Sequence, residues 1–100
     1  HKARREAWAR SMKPVCMYCE SRESWPPLSV HEIERRSRAP RTWANECNYV
    51  LLCAPCHEGP FATMSHAMQL AVKKVRDPLN YDLEKWLRLR DQELVAPDRV

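Results

Sequence analysis

Residues 48–57 read NYVLLCAPCH: an asparagine, four residues of a hydrophobic run, a C-x-x-C pair and, directly after it, a histidine. A second C-x-x-C pair, CMYC, occupies residues 16–19. Two such turns supply four thiolates, which is the ligand set that zinc binds tetrahedrally in structural sites. We therefore predict a structural Zn²⁺ held by four cysteines: Cys16, Cys19, Cys53 and Cys56.

Buried or disulfide-bonded cysteines are the alternative to a metal site. The chain has five cysteines, whereas disulfide scaffolds are usually secreted and have an even count. The first residues, HKARR, are not followed by the apolar run of a signal peptide, and no stretch approaches the ~18 apolar residues of a membrane span. We expect a reduced, cytoplasmic metalloprotein without a membrane partner, in which the fifth cysteine, Cys47, is a packed thiol.

The chain has 100 residues, enough for one domain with a modest core, so a stabilising metal is expected. The predicted class is α+β within a single domain, residues 1–100, with its core at about 14–75. A basic helix is expected within 1–12, strands at 28–33 and 49–52, a helix from Pro60 to about residue 75, and a C-terminal helix at about 82–94. The apolar spacing predicts a buried stripe on the penultimate helix: Met64, Met68, Ala71 and Val75.

The net charge is +4, and the first half of the chain carries all of the surplus, with ten Lys or Arg against six Asp or Glu in residues 1–47. Arginine suits bidentate contact with phosphate. The segment after the first predicted strand is rich in it, and its arginines are the predicted nucleic-acid contacts: Arg35, Arg36, Arg38 and Arg41. The alternative is a solvated basic loop.

The run VHEI at residues 30–33, together with residues 48–57, resembles the HNH endonuclease signature. In that family a C-x-x-C pair, a strand ending in histidine, an asparagine opening the second strand and L-C-x-x-C-H follow one another. The resemblance covers about residues 14–70 and is greatest to compact HNH proteins of bacteriophages and their bacterial hosts. It implies a ββα-metal (His-Me finger) core with a four-cysteine zinc and flanking helices. The implied activity is metal-dependent DNA cleavage, by nicking or double-strand cutting, with low sequence specificity.

The resemblance also implies a second, catalytic ion, Mg²⁺, Mn²⁺ or Ni²⁺, held around His31 and His57. It implies that His31 either activates water or binds this ion, and that Asn48 fixes the loop. One departure is Glu32, because many family members have a second histidine at this position. Glu32 is a candidate base or ligand only if the strand bends, since neighbouring strand residues otherwise point to opposite faces.

Two other functions remain open at this point. A non-catalytic zinc-stabilised module that binds DNA or protein is favoured by Glu32, and a purely structural zinc domain of a larger protein is the third reading. His66, on the following helix, either helps this site or, as we expect, is exposed to solvent. The resemblance to phage proteins implies phage packaging proteins as partners and the cytoplasm of a bacterial host as the compartment.

Overall fold

The computed structural model of this chain describes residues 2–22, 28–35 and 45–95, the last five by their backbone alone. Within these ranges the protein is a small α+β structure with one two-stranded antiparallel sheet and four α-helices. The elements are α1 (Lys2–Ser11), β1 (Ser29–Glu32), a 3₁₀ turn (Glu46–Asn48), β2 (Tyr49–Leu52), α2 (Ala54–Glu58), α3 (His66–Arg76) and α4 (Leu83–Val95). No helix in the described ranges is both long and apolar enough to cross a bilayer.

The strand β2 lies at the centre of the core, because all four of its residues are at most 1% exposed. It pairs with β1 in the register Ser29↔Leu52 to Glu32↔Tyr49. The first cysteine turn also bonds to β2, with Met17 N donating to Leu51 O at 2.8 Å. Residues directly opposite in a ladder share a face. Glu32 and Tyr49 therefore face one side of the sheet, and His31 and Val50 face the other.

The helix α1 covers the face that carries Tyr49. The Trp8 ring lies 5.5 Å from the Tyr49 ring, and Trp8 Nε1 donates to Asp77 Oδ2 at 3.0 Å. Two arginines of α1 pair with acidic groups of the rest of the fold: Arg4 Nη2 lies 2.6 Å from Glu46 Oε1, and Arg5 Nη1 lies 3.5 Å from Glu32 Oε2. These contacts fix the basic helix against the sheet.

The buried face of α3 is not the predicted one. The helix begins after Ser65, whose hydroxyl accepts from Met68 N at 3.2 Å. Its buried residues are Gln69, Leu70 and Lys73. Met68 is 55% and Val75 73% exposed, so the prediction of an apolar stripe through these residues is wrong. Gln69 and Lys73 can occupy core-facing positions because each forms hydrogen bonds with other groups inside the protein.

Lys73 and Asp77 form an ion pair inside the core. Their Nζ and Oδ2 atoms lie 2.7 Å apart, with the side chains 0% and 4% exposed. Lys73 Nζ also donates to Tyr49 O at 2.7 Å and lies 4.7 Å from the centre of the Trp8 ring. Burial lowers the pKa of Lys73, and the Asp77 carboxylate opposes that effect. This pair joins α1, β2 and α3.

The helix α4 occupies Leu83–Val95, close to the predicted 82–94. Asp82 caps it, since Asp82 Oδ1 accepts from Lys85 N at 3.0 Å. Trp86 anchors this helix to the core. It is 1% exposed, and its Nε1 donates to Oδ1 of Asn48, the residue directly before β2.

Replacing Lys73 with methionine should destabilise the fold because the Asp77 carboxylate loses its buried cation. We expect Lys73→Met to lower the free energy of unfolding by about 3–5 kcal/mol, the usual cost of removing one partner from a buried ion pair. Urea denaturation followed by tryptophan fluorescence measures this. Lys74→Met, at the exposed neighbouring position, is the matched control and should change stability by less than about 0.5 kcal/mol. Equal losses in the two variants would contradict the role of the pair.

Candidate functional site

The two cysteine turns come together. The Sγ atoms of Cys16, Cys19, Cys53 and Cys56 all lie within 4.8 Å of one another. Three of these residues are buried and Cys19 is exposed. Such a cluster could hold a metal ion such as zinc, as the C-x-x-C spacing predicts. Cys47 is a separate, buried free thiol, and burial raises its pKa.

The first cysteine turn is closed by its own backbone. Cys16 N donates to Ser21 O at 2.9 Å, and Glu20 N donates to Cys16 O at 3.0 Å. Glu20 takes a positive φ of 66°, the left-handed conformation that such a tight turn requires. The contact of 3.2 Å between Cys19 Sγ and the Ser21 hydroxyl lowers the pKa of Cys19 to about 6. The Ser21 contact thus favours the thiolate of Cys19, which is the form that binds metal.

The second cysteine turn is helical. Cys53 is the N-cap of α2, and the proline that follows lies in the first turn, where its missing N–H costs nothing. His57 N donates to Cys53 O at 2.9 Å. Because His57 directly follows Cys56 in this short helix, the position of the cysteine cluster also determines the position of the His57 ring.

The two predicted histidines meet. His31 Nδ1 on β1 lies 3.2 Å from His57 Nδ1 on α2, with the rings at 78° to each other. The ring of Phe61, which is fully buried, contacts the His31 ring edge-on at 5.2 Å. Burial lowers the pKa of His31 and the proximity of His57 adds to this effect, while the hydrogen bond with Gln69 opposes it. The lowered pKa favours the neutral ring, which has one nitrogen free to accept a proton or bind a metal.

A third side chain, which the sequence did not reveal, contacts this pair. Gln69 on α3 is 3% exposed, and its Oε1 lies 2.8 Å from His31 Nε2. Its Nε2 donates to Phe61 O at 3.3 Å and to Met64 O at 3.0 Å. A glutamine in an amphipathic helix has no sequence signal that separates it from a surface residue, so only the packing of α3 identifies it.

Asn48 holds the turn that follows β1. Its side chain is fully buried; Oδ1 accepts from Glu34 N at 2.8 Å and from Trp86 Nε1 at 2.9 Å. Its Nδ2 donates to Glu34 O at 3.0 Å. The carboxamide thus reproduces a backbone pairing with Glu34 and connects it to α4. Asn48 thereby fixes the path of the chain immediately after His31.

Glu32 does not join the histidine pair. It lies on the α1 side of the sheet, where Arg5 Nη1 donates to Glu32 Oε2 at 3.5 Å. The bend that would bring Glu32 beside His31 is not found, because the ladder with β2 is regular through Glu32↔Tyr49. Glu32 is therefore not placed to serve as a base or ligand beside His31, as the sequence had left open.

The remaining predicted residues are the four arginines after β1 and His66. Arg35 is exposed at the end of the turn after β1, whereas Arg36, Arg38 and Arg41 lie outside the described residues. The His66 side chain is 41% exposed, in line with the predicted solvent exposure, and its Nε2 lies 3.2 Å from Glu34 Oε2. The ring also contacts Trp86 edge-on at 5.5 Å. His66 is thus partly exposed and also has partners in the turn after β1 and in α4.

Comparison with known proteins adds no relative to this picture. No family model, curated protein or solved structure matches the chain.

Removing one cysteine of the cluster should remove the metal. We expect the purified protein to contain one zinc per chain and Cys53→Ser to lose it, because zinc holds structural sites through four protein ligands. Inductively coupled plasma mass spectrometry measures the zinc content. Cys47→Ser is the matched control and should keep its zinc, since Cys47 lies outside the cluster. Zinc retained in Cys53→Ser, or lost equally from both variants, would argue against this site.

Asn48→Ala should destabilise the protein through three lost hydrogen bonds. The indole N–H of Trp86 and the amide of Glu34 would stay buried without this acceptor, so we expect a loss of about 2–4 kcal/mol in the free energy of unfolding. Thermal and urea denaturation test this. Asn80→Ala, whose side chain bonds only Asp77 among the described residues, is the matched control and should cost about 1 kcal/mol or less. If Asn48→Ala also cost only about 1 kcal/mol, Asn48 would not hold the turn after β1 as described.

Proposed function

We propose that this chain is a metal-dependent endonuclease of the HNH type that hydrolyses DNA phosphodiester bonds. The observation that carries the proposal is the His31–His57 pair, with its Nδ1 atoms 3.2 Å apart beside the four-cysteine cluster. The strand β1, the helix α2 that contains the second cysteine turn and the helix α3 each contribute one side chain to this region. A strand histidine beside a helix histidine supports the ββα-metal fold that the resemblance implies.

The chemistry and spacing of the pair fit a second metal ion. With metal–nitrogen bonds of about 2.0–2.1 Å, two such ligands are about 2.9 Å apart at a right angle and about 3.3 Å apart at a tetrahedral angle. The observed Nδ1–Nδ1 distance of 3.2 Å lies within that range. Neutral imidazole suits Ni²⁺ better than Mg²⁺ or Mn²⁺, which prefer oxygen ligands, and the lowered pKa of His31 favours its neutral ring. We therefore assign both rings as ligands of one divalent ion, and of Mg²⁺, Mn²⁺ and Ni²⁺ the pair fits Ni²⁺ best.

The proposed chemistry divides between the ion and the protein. When bound, the ion supplies Lewis-acid stabilisation of the charge that develops on the phosphate oxygens. The protein holds the two imidazoles in place from two different elements. Asn48 fixes the turn after β1, and Arg35 follows that turn with its side chain exposed. Arg35 thus begins the arginine-rich segment proposed to contact the DNA backbone.

The choice of DNA as substrate is supported by charge and by the resemblance. The formal net charge of +4 falls to about +2 when four thiolates bind Zn²⁺, so the clustering of the twelve arginines is the stronger argument, because arginine contacts phosphate through two parallel hydrogen bonds. Phosphate contacts position a duplex without reading its bases, which agrees with low sequence specificity. Phage packaging proteins are the proposed partners, on the resemblance alone.

A zinc-stabilised module that binds DNA without cutting it is the second candidate. The observation in its favour is Glu32, which occupies the position of a second histidine in many HNH proteins and lies on the opposite face of the sheet. Such a module would hold one metal ion per chain. Its DNA affinity would fall steeply with salt, because phosphate contacts release counterions.

Supercoiled-plasmid nicking by zinc-loaded protein, titrated with Mg²⁺, Mn²⁺ or Ni²⁺, separates the two candidates. We expect metal-dependent nicking in the wild type. His31→Ala and His57→Ala should each reduce its rate by more than about 100-fold, because even outer-sphere partners of a metal are worth 10–100-fold. Calorimetry should show that both variants lose the second metal while keeping zinc.

Two variants serve as controls for this experiment. His66→Gln removes a histidine that bonds Glu34, and Glu32→Gln changes the carboxylate on the α1 face; both should nick at close to the wild-type rate. If zinc-loaded wild type binds DNA but does not nick it with any of the three metals, the binding module is the correct function. If Glu32→Gln abolishes nicking at intact fold, the ligand assignment is incomplete and Glu32 takes part in the chemistry.

A further inference from the structure

We propose that Gln69 is a positioning residue that sets the tautomer of His31, so that the Nδ1 lone pair of His31 points to the metal position between His31 and His57. The consequence for metal binding rests on the proposed function. The tautomer itself follows from hydrogen bonds in the protein alone.

The orientation of the Gln69 carboxamide is decided by two backbone carbonyls. Its amino group lies 3.3 Å from Phe61 O and 3.0 Å from Met64 O. Carbonyl oxygens only accept hydrogen bonds, so the donor end of the carboxamide must face them. The acceptor end, Oε1, then faces His31.

These two carbonyls belong to a segment of chain that packs closely against α2. Gly59, the only glycine of the chain, ends α2, and a Cβ placed there would lie 2.8 Å from Pro55 O. The chain can therefore turn closely against α2 and continue with Phe61 N donating to Cys56 O at 3.2 Å. Phe61 is fully buried. The second cysteine turn thus anchors the carbonyls that orient Gln69.

The tautomer of His31 follows from this orientation. Gln69 Oε1 has no proton to donate, so His31 Nε2 at 2.8 Å must carry one. In a neutral imidazole the other nitrogen is then bare, and in His31 that nitrogen is Nδ1, which faces His57 Nδ1 at 3.2 Å. Without an ion, His57 must be the donor in that contact. His31 is therefore set for metal binding in advance, whereas His57 must move its proton to Nε2 first.

Such an outer partner is what histidine ligands of metals usually have. A ligating imidazole donates its second ring N–H to a carbonyl, carboxylate or water, and the loss of that partner typically weakens metal binding 10–100-fold. Gln69 is more than 90% buried and has its other two hydrogen bonds satisfied, so its oxygen is available to His31. A residue that only filled space on α3 would not need this polarity.

The first test is nuclear magnetic resonance of zinc-loaded, ¹⁵N-labelled protein without a second metal, at a pH where His31 is neutral. Long-range ¹H–¹⁵N correlation should show His31 protonated at Nε2 and bare at Nδ1, with an Hε2 signal protected from exchange with water. In Gln69→Met, which keeps the length of the side chain without its polar atoms, this protected signal should be lost. Leu70→Val, at the next buried position of α3, is the matched control and should keep it.

The second test is the affinity of the same proteins for Ni²⁺ and Mn²⁺, measured by calorimetry. Gln69→Met should bind the second ion 10–100-fold more weakly than wild type and Leu70→Val. A wild-type His31 protonated at Nδ1 would overturn the proposal without any variant. So would an unchanged Hε2 signal in Gln69→Met, or equal affinity in Gln69→Met and wild type. If wild type binds no second ion, the nuclease proposal fails, while the tautomer measurement still decides the role of Gln69.

Discussion

Four sulfur atoms from two turns lie within 4.8 Å of one another and join the chain before β1 to the chain after β2. A chain of 100 residues has a small core, and a metal ion held at this point would constrain both turns at once. The position of β2 depends on the same constraint, since the first turn bonds Leu51 and the second begins at Cys53. Because Cys56 and His57 are adjacent in α2, the cluster also sets where the histidine pair forms.

The core around β2 is specified by buried polar groups as much as by apolar packing. Lys73 bonds the carbonyl of Tyr49, Asn48 bonds both backbone groups of Glu34, and Gln69 bonds two carbonyls and His31. The bonds of Lys73 to Tyr49, Asn48 to Glu34 and Gln69 to His31 connect parts of the chain that are 14 or more residues apart. Such bonds favour one arrangement of elements, because an arrangement without them would leave the same buried donors and acceptors without partners.

The two faces of the sheet contact different parts of the protein. The face with Glu32 and Tyr49 packs under α1, where Arg4 and Arg5 are engaged by Glu46 and Glu32. These arginines contribute to the fold, so the proposed contact with DNA depends on Arg35 and the arginines that follow it in sequence. The opposite face carries His31 and meets α2 and α3. The alternation of a regular strand thus separates the carboxylate of Glu32 from the imidazole of its neighbour.

The sequence by itself determined the four-cysteine cluster, the two strands, the C-terminal helix and the presence of histidines beside the cluster, because these features depend on spacings of a few residues. It did not determine which face of α3 is buried, the absence of a strand bend at Glu32, the partner of His66 or the role of Gln69. His31 and Gln69 are 38 residues apart, and Lys73 and Tyr49 are 24 apart. Only tertiary packing brings such pairs together. A polar side chain that finds its partner that way looks like a surface residue in the sequence, since hydropathy patterns record the side chain and not what it bonds.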